Sequence, residues 1–147
     1  MSGDVVDLIE QDHREVEELF TQLESEEGDK AALLQQLADE LIPHTKSEEQ
    51  VVYPAIRQAV PQEADEVHDG VVEHQHIEEM LQQLLADGPD APGADGMLAA
   101  MIAEVRHHVE EEEQDLLPAF RQATTQTDRE ELGQRFEERK EQVRSGG

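Results

Sequence analysis

The chain has 147 residues and no cysteine, which suits one domain without disulfides, given about 100–200 residues per domain. Its 11 Lys and Arg oppose 37 Asp and Glu, and the formal net charge of −26 argues against binding to phosphate backbones or anionic membranes. No apolar run approaches the roughly 18–20 residues of a membrane span, and the first ten residues do not look like a signal peptide. We therefore expect a cytoplasmic monomer with no nucleic-acid or membrane partner.

Apolar residues recur every three or four positions in four segments, which Gly and Pro separate. This rhythm predicts four long helices at about residues 4–26, 30–59, 62–87 and 94–123. Because the connections are short, neighbouring helices would run antiparallel. The predicted fold is therefore all-α, an up-down-up-down four-helix bundle.

Polar and proline residues suggest where these helices begin and end. Asp29 and Asp95 are placed as N-caps, and Pro61 suits the first turn of the third helix. Three further prolines lie inside or near the ends of predicted helices, where they are expected to kink or end them: Pro43, Pro54 and Pro118.

A fifth, shorter amphipathic helix is predicted from about residue 127 onward. Its apolar side carries Leu132, Phe136 and Val143. The helix would either pack across the outside of the bundle or project as a charged tail. We divide the chain accordingly into a bundle at about residues 1–125 and a C-terminal helix and tail at about 126–147.

The chain contains an internal repeat. Residues 44–59 match residues 108–123, and both segments begin with a His-x-x-x-Glu motif and contain a proline ten residues after the histidine. The first and third helices match more weakly, around His13 and His74. The sequence therefore reads as two helical hairpins of the same design.

Six residues of this repeat occupy the apolar stripes that should face the bundle centre: His13, His44, Glu48, His74, His108 and Glu112. Positions i and i+4 share one face of a helix, so each paired motif aims its His and Glu in the same direction. Buried carboxylates without a partner cost several kcal/mol, and none of the 11 basic residues falls on these stripes. A pair of metal ions would offset the carboxylates and use the imidazoles as ligands.

This pattern resembles the hemerythrin-like family, also called the HHE cation-binding domain, over about residues 4–123. The resemblance implies two non-haem irons, ferrous or ferric, bridged by carboxylates and an oxo or hydroxo group. It also implies that the four histidines are terminal ligands and that Glu48 and Glu112 are bridges.

One further coordination position is open, because the sequence has Glu78 where the oxygen-carrying hemerythrins have a second histidine. Glu78 could fill the position, although Ile77 competes for the inward direction. Tyr53 is the other protein candidate. Ideal periodicity turns it away from His44, but Pro54 disfavours helical geometry at Tyr53 and could swing it inward. Tyr53 could instead be a core residue with a solvated hydroxyl, and a solvent molecule could be the ligand.

We do not expect the remaining histidines and acidic residues around these motifs to be metal ligands. Three histidines are expected at the surface or just behind the ligands: His68, His76 and His107. Four acids are expected on a solvated face, from which one could orient a ligand histidine: Glu49, Glu110, Glu111 and Glu113.

Mixed imidazole and carboxylate donors favour iron over tetrahedral zinc. An iron pair with an open position could bind O₂, hydrogen peroxide or nitric oxide as a carrier, or act on peroxide as a catalase-like or peroxidase enzyme. The alternative is an iron or oxygen sensor, or a metal-storage bundle, without turnover. The apolar residues expected to keep the site dry are Ile9, Val16, Leu41, Leu81, Met101 and Val105.

Overall fold

The computed structural model describes residues 3–146, and over that range it contains helices and connecting turns but no β-strand. We number five helices in chain order: α1 Val5–Ser25, α2 30–59, α3 Ala64–Asp87, α4 94–123 and α5 Gln126–Arg144. A 3₁₀ turn, Pro61–Glu63, leads into α3. The all-helical prediction and the four long helices are therefore confirmed, to within a few residues at each end.

The second and fourth helices share an interruption in the middle. In α2 an α-helical part, Lys30–Ser47, passes into a π-helical turn, Glu48–Val52, and then into a second α-helical part, Tyr53–Ala59. In α4 the corresponding parts are Ala94–Glu111, Glu112–Leu116 and Leu117–Ala123. Each π turn begins at the glutamate of a His-x-x-x-Glu motif, so the internal repeat is also a structural repeat.

We expected the prolines in these helices to kink or end them, and none of the three ends its helix. Pro43 lies inside the first α-helical part of α2. Pro54 and Pro118 are each the second residue of the α-helical part that follows a π turn. The regular i→i−4 ladder is already broken there, so the missing proline N–H removes little hydrogen bonding.

The predicted caps were right at one helix and wrong at another. The side chain of Asp29 accepts hydrogen bonds from the backbone N–H groups of Ala31 and Ala32 at the start of α2. At the start of α4 the N-cap is Gly93, with φ of 82°, and Asp95 lies one residue inside the first turn. The chain enters α4 through a left-handed residue, which glycine adopts without steric cost.

The helices pack α1 against α2, and α3 against both α2 and α4, while α5 covers α1 and α2. Leu132 and Phe136 of α5 are buried, and Val143 is half-buried, so this helix packs on the others and does not project as a tail. No helix within residues 3–146 combines the length and the apolar character that crossing a membrane would need.

Two apolar clusters fill the interior. One contains Val16, Phe20, Leu41 and Val105, and the other contains Ile9 together with residues of α5 and the second parts of α2 and α4. His13 lies between Ile9 and Val16 on α1, which places it at the boundary between the two clusters. A buried polar layer occupies that boundary.

Candidate metal centre

The structure brings the six predicted metal-site residues together in this buried layer. None of the six is more than 7% exposed: His13, His44, Glu48, His74, His108 and Glu112. Charged carboxylates at such depth need a compensating partner, because transfer out of water costs several kcal/mol for each ion.

Their donor atoms form two overlapping groups of four, and within each group the atoms lie within 4.8 Å of one another. Glu48 and Glu112 belong to both groups. The histidines divide between the groups, and we name the two resulting locations the His13–His44 position and the His74–His108 position. Two shared carboxylates between two pairs of imidazoles form a donor set that could hold two cations side by side.

Several nitrogen and oxygen atoms that could bind a metal make no hydrogen bond within the described part of the chain. Both Glu48 oxygens, Glu112 Oε1 and His13 Nε2 are buried without one. His13 Nε2 faces Glu112 Oε1 at 3.3 Å, and His74 Nε2 faces Glu48 Oε1 at 3.2 Å. Because imidazole nitrogens and carboxylate oxygens are common ligands of transition metals, the unsatisfied atoms fit a metal centre.

The pKa values of these groups are shifted because two carboxylates and several imidazoles are buried close together. Burial, and then the neighbouring Glu112, raise the pKa of Glu48. Burial would also raise the pKa of Glu112, but His108 and His13 outweigh it and hold that pKa well below its usual range. Burial would lower the pKa of His13, yet its close contacts with the carboxylates of Glu112 and Glu113 raise it to about 10. Without a cation the neighbouring carboxylates would therefore retain a proton on His13.

Each of the four histidines directs its outer nitrogen, Nδ1, at a carboxylate. The pairs are His13 with Glu113 at 2.6 Å, His44 with Asp12 at 2.8 Å, His74 with Glu49 at 2.8 Å and His108 with Glu73 at 2.7 Å. An Nδ1–H that donates to a carboxylate fixes the tautomer and leaves Nε2 available as a ligand.

The prediction that a surface acid could orient a histidine was right for Glu49 and Glu113, and it missed Asp12 and Glu73. The internal repeat could have identified Asp12 and Glu73 as partners of histidines. Asp12 and Glu73 each directly precede the lone histidine of their hairpin, and Glu49 and Glu113 each directly follow the glutamate of the paired motif.

Tyr53 is fully buried and belongs to this layer. Its hydroxyl donates a hydrogen bond to Glu112 Oε2 at 2.8 Å and lies 3.4 Å from Nε2 of both His74 and His108. Burial, followed by the charges of Glu112 and Glu48, raises the pKa of the phenol well above its usual value. The alternative of a solvated hydroxyl is therefore wrong.

The reason that we gave for an inward Tyr53 is also wrong. Tyr53 is α-helical, with φ of −59° and ψ of −41°, so Pro54 does not force it out of the helix. The π turn before it holds about one extra residue, which rotates the following side chains by about 100° relative to a regular α-helix. That rotation carries Tyr53 from the far side of the helix toward the polar layer.

Glu78 does not join the six residues. It is half-buried and accepts a hydrogen bond from Thr45 Oγ1 at 2.8 Å. Ile77 is 1% exposed and takes the inward direction, for which it was expected to compete.

The remaining predicted residues lie outside the layer. His68, His76 and His107 are exposed, and the last two pair with Glu104 and Glu111. Glu110 is exposed and Glu111 is half-buried, as expected of a solvated face. His107 also forms a third group of possible metal donors with Glu73 and Glu111, but that group lies at the surface.

One basic residue reaches the layer from α5, outside the four apolar stripes on which we expected no basic residue. Lys140 of α5 is 4% exposed, and its Nζ donates to both carboxylate oxygens of Asp12 at 2.9 and 2.8 Å. Sequence reasoning missed this pair because 128 residues separate the partners and Lys140 stands in a segment rich in charges.

Two openings adjoin the layer. A small cavity of about 20 Å³ lies against the four histidines and is closed by apolar side chains, which include Val16, Leu41 and Val105. The other predicted apolar residues, Ile9, Leu81 and Met101, are buried but do not line it. A groove of about 360 Å³ between α1 and α4 reaches the outer side of His13. The two openings share His13, Val16, Val105 and Val109.

The fold and this site define a helical cation-binding domain, and the comparison with known families gives the same class. The model of the Hemerythrin HHE cation binding domain matches residues 4–120. The chain therefore belongs to the hemerythrin HHE cation-binding domain family.

Two known proteins show how far the similarity extends. The crystal structure of a hemerythrin HHE cation-binding domain-containing protein from Mycobacterium kansasii matches with a TM-score of 0.79 and 25% identity, over 97% of this chain and 88% of that one. A DNA nickase from Nostoc sp. is 28% identical over 97% of this chain. This chain spans only 41% of the length of the nickase.

Proposed function

We propose that this chain binds two iron ions in the buried polar layer, and that it binds or turns over O₂, hydrogen peroxide or nitric oxide there. The observation that carries the proposal is the pair of overlapping donor groups that share Glu48 and Glu112. In this proposal two histidines would hold each ion, Glu48 and Glu112 would be shared between the two ions, and the four long helices would form an up-down-up-down bundle around them. The histidines of the two ions are His13 with His44, and His74 with His108.

The donor set supports iron as the metal. Four imidazoles and two carboxylates exceed what one tetrahedral zinc ion uses, and they match the ligands from which dimetal centres are built inside helical bundles. When bound, an iron pair would supply reversible two-electron chemistry toward O₂ or peroxide, with an oxo or hydroxo bridge as the resemblance implies.

The protein would contribute orientation, a proton and exclusion of water. The outer carboxylates fix the histidines through Nδ1, and the apolar wall of the small cavity keeps bulk water away. Tyr53 holds a proton between its hydroxyl and Glu112 Oε2, beside the His74–His108 position. We propose Tyr53 as the additional ligand or hydrogen-bond donor at that position.

We propose that nucleic acid is not a partner of this chain. Its net charge of −26 opposes contact with a phosphate backbone. Several of its arginines are already paired with acids, since Arg106 contacts Glu17 and Glu24, and Arg129 contacts Asp4. The activity in the name of the Nostoc relative is therefore not extended to this chain.

Anaerobic reconstitution with Fe²⁺ tests the proposal. We expect two irons per chain, near-ultraviolet bands that change on addition of azide or peroxide, and retention of both irons in the surface variant His107→Ala. His74→Ala should lose iron, because it removes a buried donor of one position. Evolution of O₂ from added peroxide would identify catalase-like turnover, whereas spectral changes without turnover would favour a carrier or sensor. A purified protein that takes up no iron would contradict the proposal.

A further inference from the structure

Lys140 is a buried ammonium group beside the proposed metal centre. It lies on α5, one turn after Phe136, and its Nζ is 5.1 Å from the centre of the Phe136 ring. The same ring meets the imidazole of His44 edge to face at 5.7 Å. The C-terminal helix therefore places both an aromatic ring and a positive charge next to one of the four histidines.

Asp12 connects this ammonium group to His44. Its Oδ2 lies 2.8 Å from His44 Nδ1 and 2.8 Å from Lys140 Nζ. Both Asp12 oxygens accept from the Lys140 ammonium group, at 2.9 and 2.8 Å, so the positive charge of Lys140 offsets the charge of this carboxylate.

The other three carboxylates behind the histidines have no such partner. Within residues 3–146, no Lys or Arg nitrogen forms an ion pair with Glu49, Glu73 or Glu113. The His74–His108 position is thus backed by two carboxylates that have no Lys or Arg partner among the described residues. The His13–His44 position is backed by one, because Lys140 neutralises the second.

We propose that Lys140 makes the two cation positions unequal, so that a cation binds more weakly at the His13–His44 position than at the His74–His108 position. This inference rests on the proposed function, since it requires that both positions bind metal. A carboxylate hydrogen-bonded to a ligand histidine makes that histidine a stronger donor, and a neighbouring ammonium group cancels much of this effect. Lys140 would act through Asp12 and is a positioning residue that touches no cation.

Titration with Co²⁺ alone, followed by calorimetry and visible absorption, tests the inference. We expect the wild-type chain to bind two Co²⁺ ions in two steps of unequal affinity. Lys140→Met and Lys140→Gln should tighten the weaker step about tenfold and leave the stronger step unchanged. Lys140→Gln also guards against misfolding, because its amide can still donate a hydrogen bond to Asp12.

Two control variants separate charge from packing. The double variant Asp12→Asn/Lys140→Met removes both charges and restores net neutrality behind His44, so the interval between the two steps should return to the wild-type value. Lys30→Met removes one positive charge at the far-off pair with Glu26 and Asp95 and should leave both steps unchanged. Far-UV circular dichroism of each variant verifies that the helices are retained.

The possible failures are distinguishable. A wild-type chain that binds no Co²⁺ would refute the metal centre itself. Two steps whose interval does not respond to Lys140→Met or Lys140→Gln would overturn the role of Lys140 and leave the metal centre intact. A weaker step that loosens in these variants, or a double variant that behaves like Lys140→Met, would assign Lys140 to packing alone and would equally overturn the inference.

Discussion

Gly70 leaves room on α3 for the phenol of Tyr53. A Cβ atom at this position would lie 2.9 Å from the Tyr53 hydroxyl oxygen and 3.4 Å from His108 Cε1. Glycine within a helix costs about 0.5–1 kcal/mol relative to alanine. Gly70 lies where the backbone of α3 approaches the polar layer. The observed position of Tyr53 therefore requires that residue 70 has no Cβ atom.

Gly70→Ala should therefore lower the free energy of unfolding by about 1–3 kcal/mol, the range typical of overpacking. The same substitution should cost less in a Tyr53→Phe background, because the oxygen that the new methyl group meets is gone. Urea unfolding of the two single variants and the double variant measures this coupling.

Gly96→Ala is the matched control for this cycle. Gly96 lies in the first turn of α4, and a methyl group added there would meet nothing within 4 Å. This substitution should leave stability unchanged or raise it slightly, through helix propensity. Equal costs of Gly70→Ala with and without the Tyr53 hydroxyl would contradict the steric explanation.

At the scale of whole elements, the two π turns explain why the sequence predicted the positions of some site residues correctly and of others incorrectly. The spacing of His44 with Glu48, and of His108 with Glu112, is regular α-helical spacing, so both pairs could be placed on one face in advance. The π turns begin at these glutamates, and side chains beyond them no longer follow the α-helical period. Tyr53 lies past this point, which is why periodicity misplaced it.

The carboxylates around the histidines were hard to predict for a different reason. With 37 acidic residues among 147, an acid lies near almost every histidine in the sequence, and the pattern alone cannot separate a partner from a solvated neighbour. The contact between Asp12 and Lys140 depends on how α5 docks on α1 and α2. Docking of distant helices is a tertiary property that local periodicity does not encode.

The start of α5 offers a test of how firmly this helix is held. Thr125 accepts a hydrogen bond from the backbone N–H of Asp128, and the Asp128 side chain accepts one from the Thr125 backbone N–H. Thr125→Ala should lower the free energy of unfolding by about 1 kcal/mol, because it removes an N-cap. Thermal or urea unfolding measures the loss.

Thr127→Ala, two residues later, serves as the control for the cap. Thr127 is exposed inside the first turn of α5, so its replacement should change stability by less than about 0.5 kcal/mol. If the two alanine variants unfold at the same denaturant concentration, the cap does not contribute to holding α5.

On the scale of the molecule, the net charge of −26 is the dominant electrostatic feature. Acidic side chains on the surface repel one another in the compact state, and added salt screens this repulsion. Raising NaCl from about 0.01 M to about 0.15 M shortens the Debye length from about 30 Å to about 8 Å. We therefore expect the melting temperature to rise by several degrees over this range.

This measurement needs a chelator throughout, so that stabilisation by trace metal does not add to screening. A potassium salt in place of NaCl should give the same rise, since screening depends on ionic strength and not on the identity of the ion. A melting temperature that stays constant or falls would mean that the paired surface charges already balance the repulsion.

The cavity of about 20 Å³ leaves little free space between the four histidines. A space of roughly 10–15 Å³ admits a single water molecule, so this cavity has room for about one water-sized guest at a time. Bulkier organic reductants would be stopped in the groove beside His13. If the proposed iron pair undergoes a redox cycle, its electrons would have to cross the protein wall from a donor docked outside.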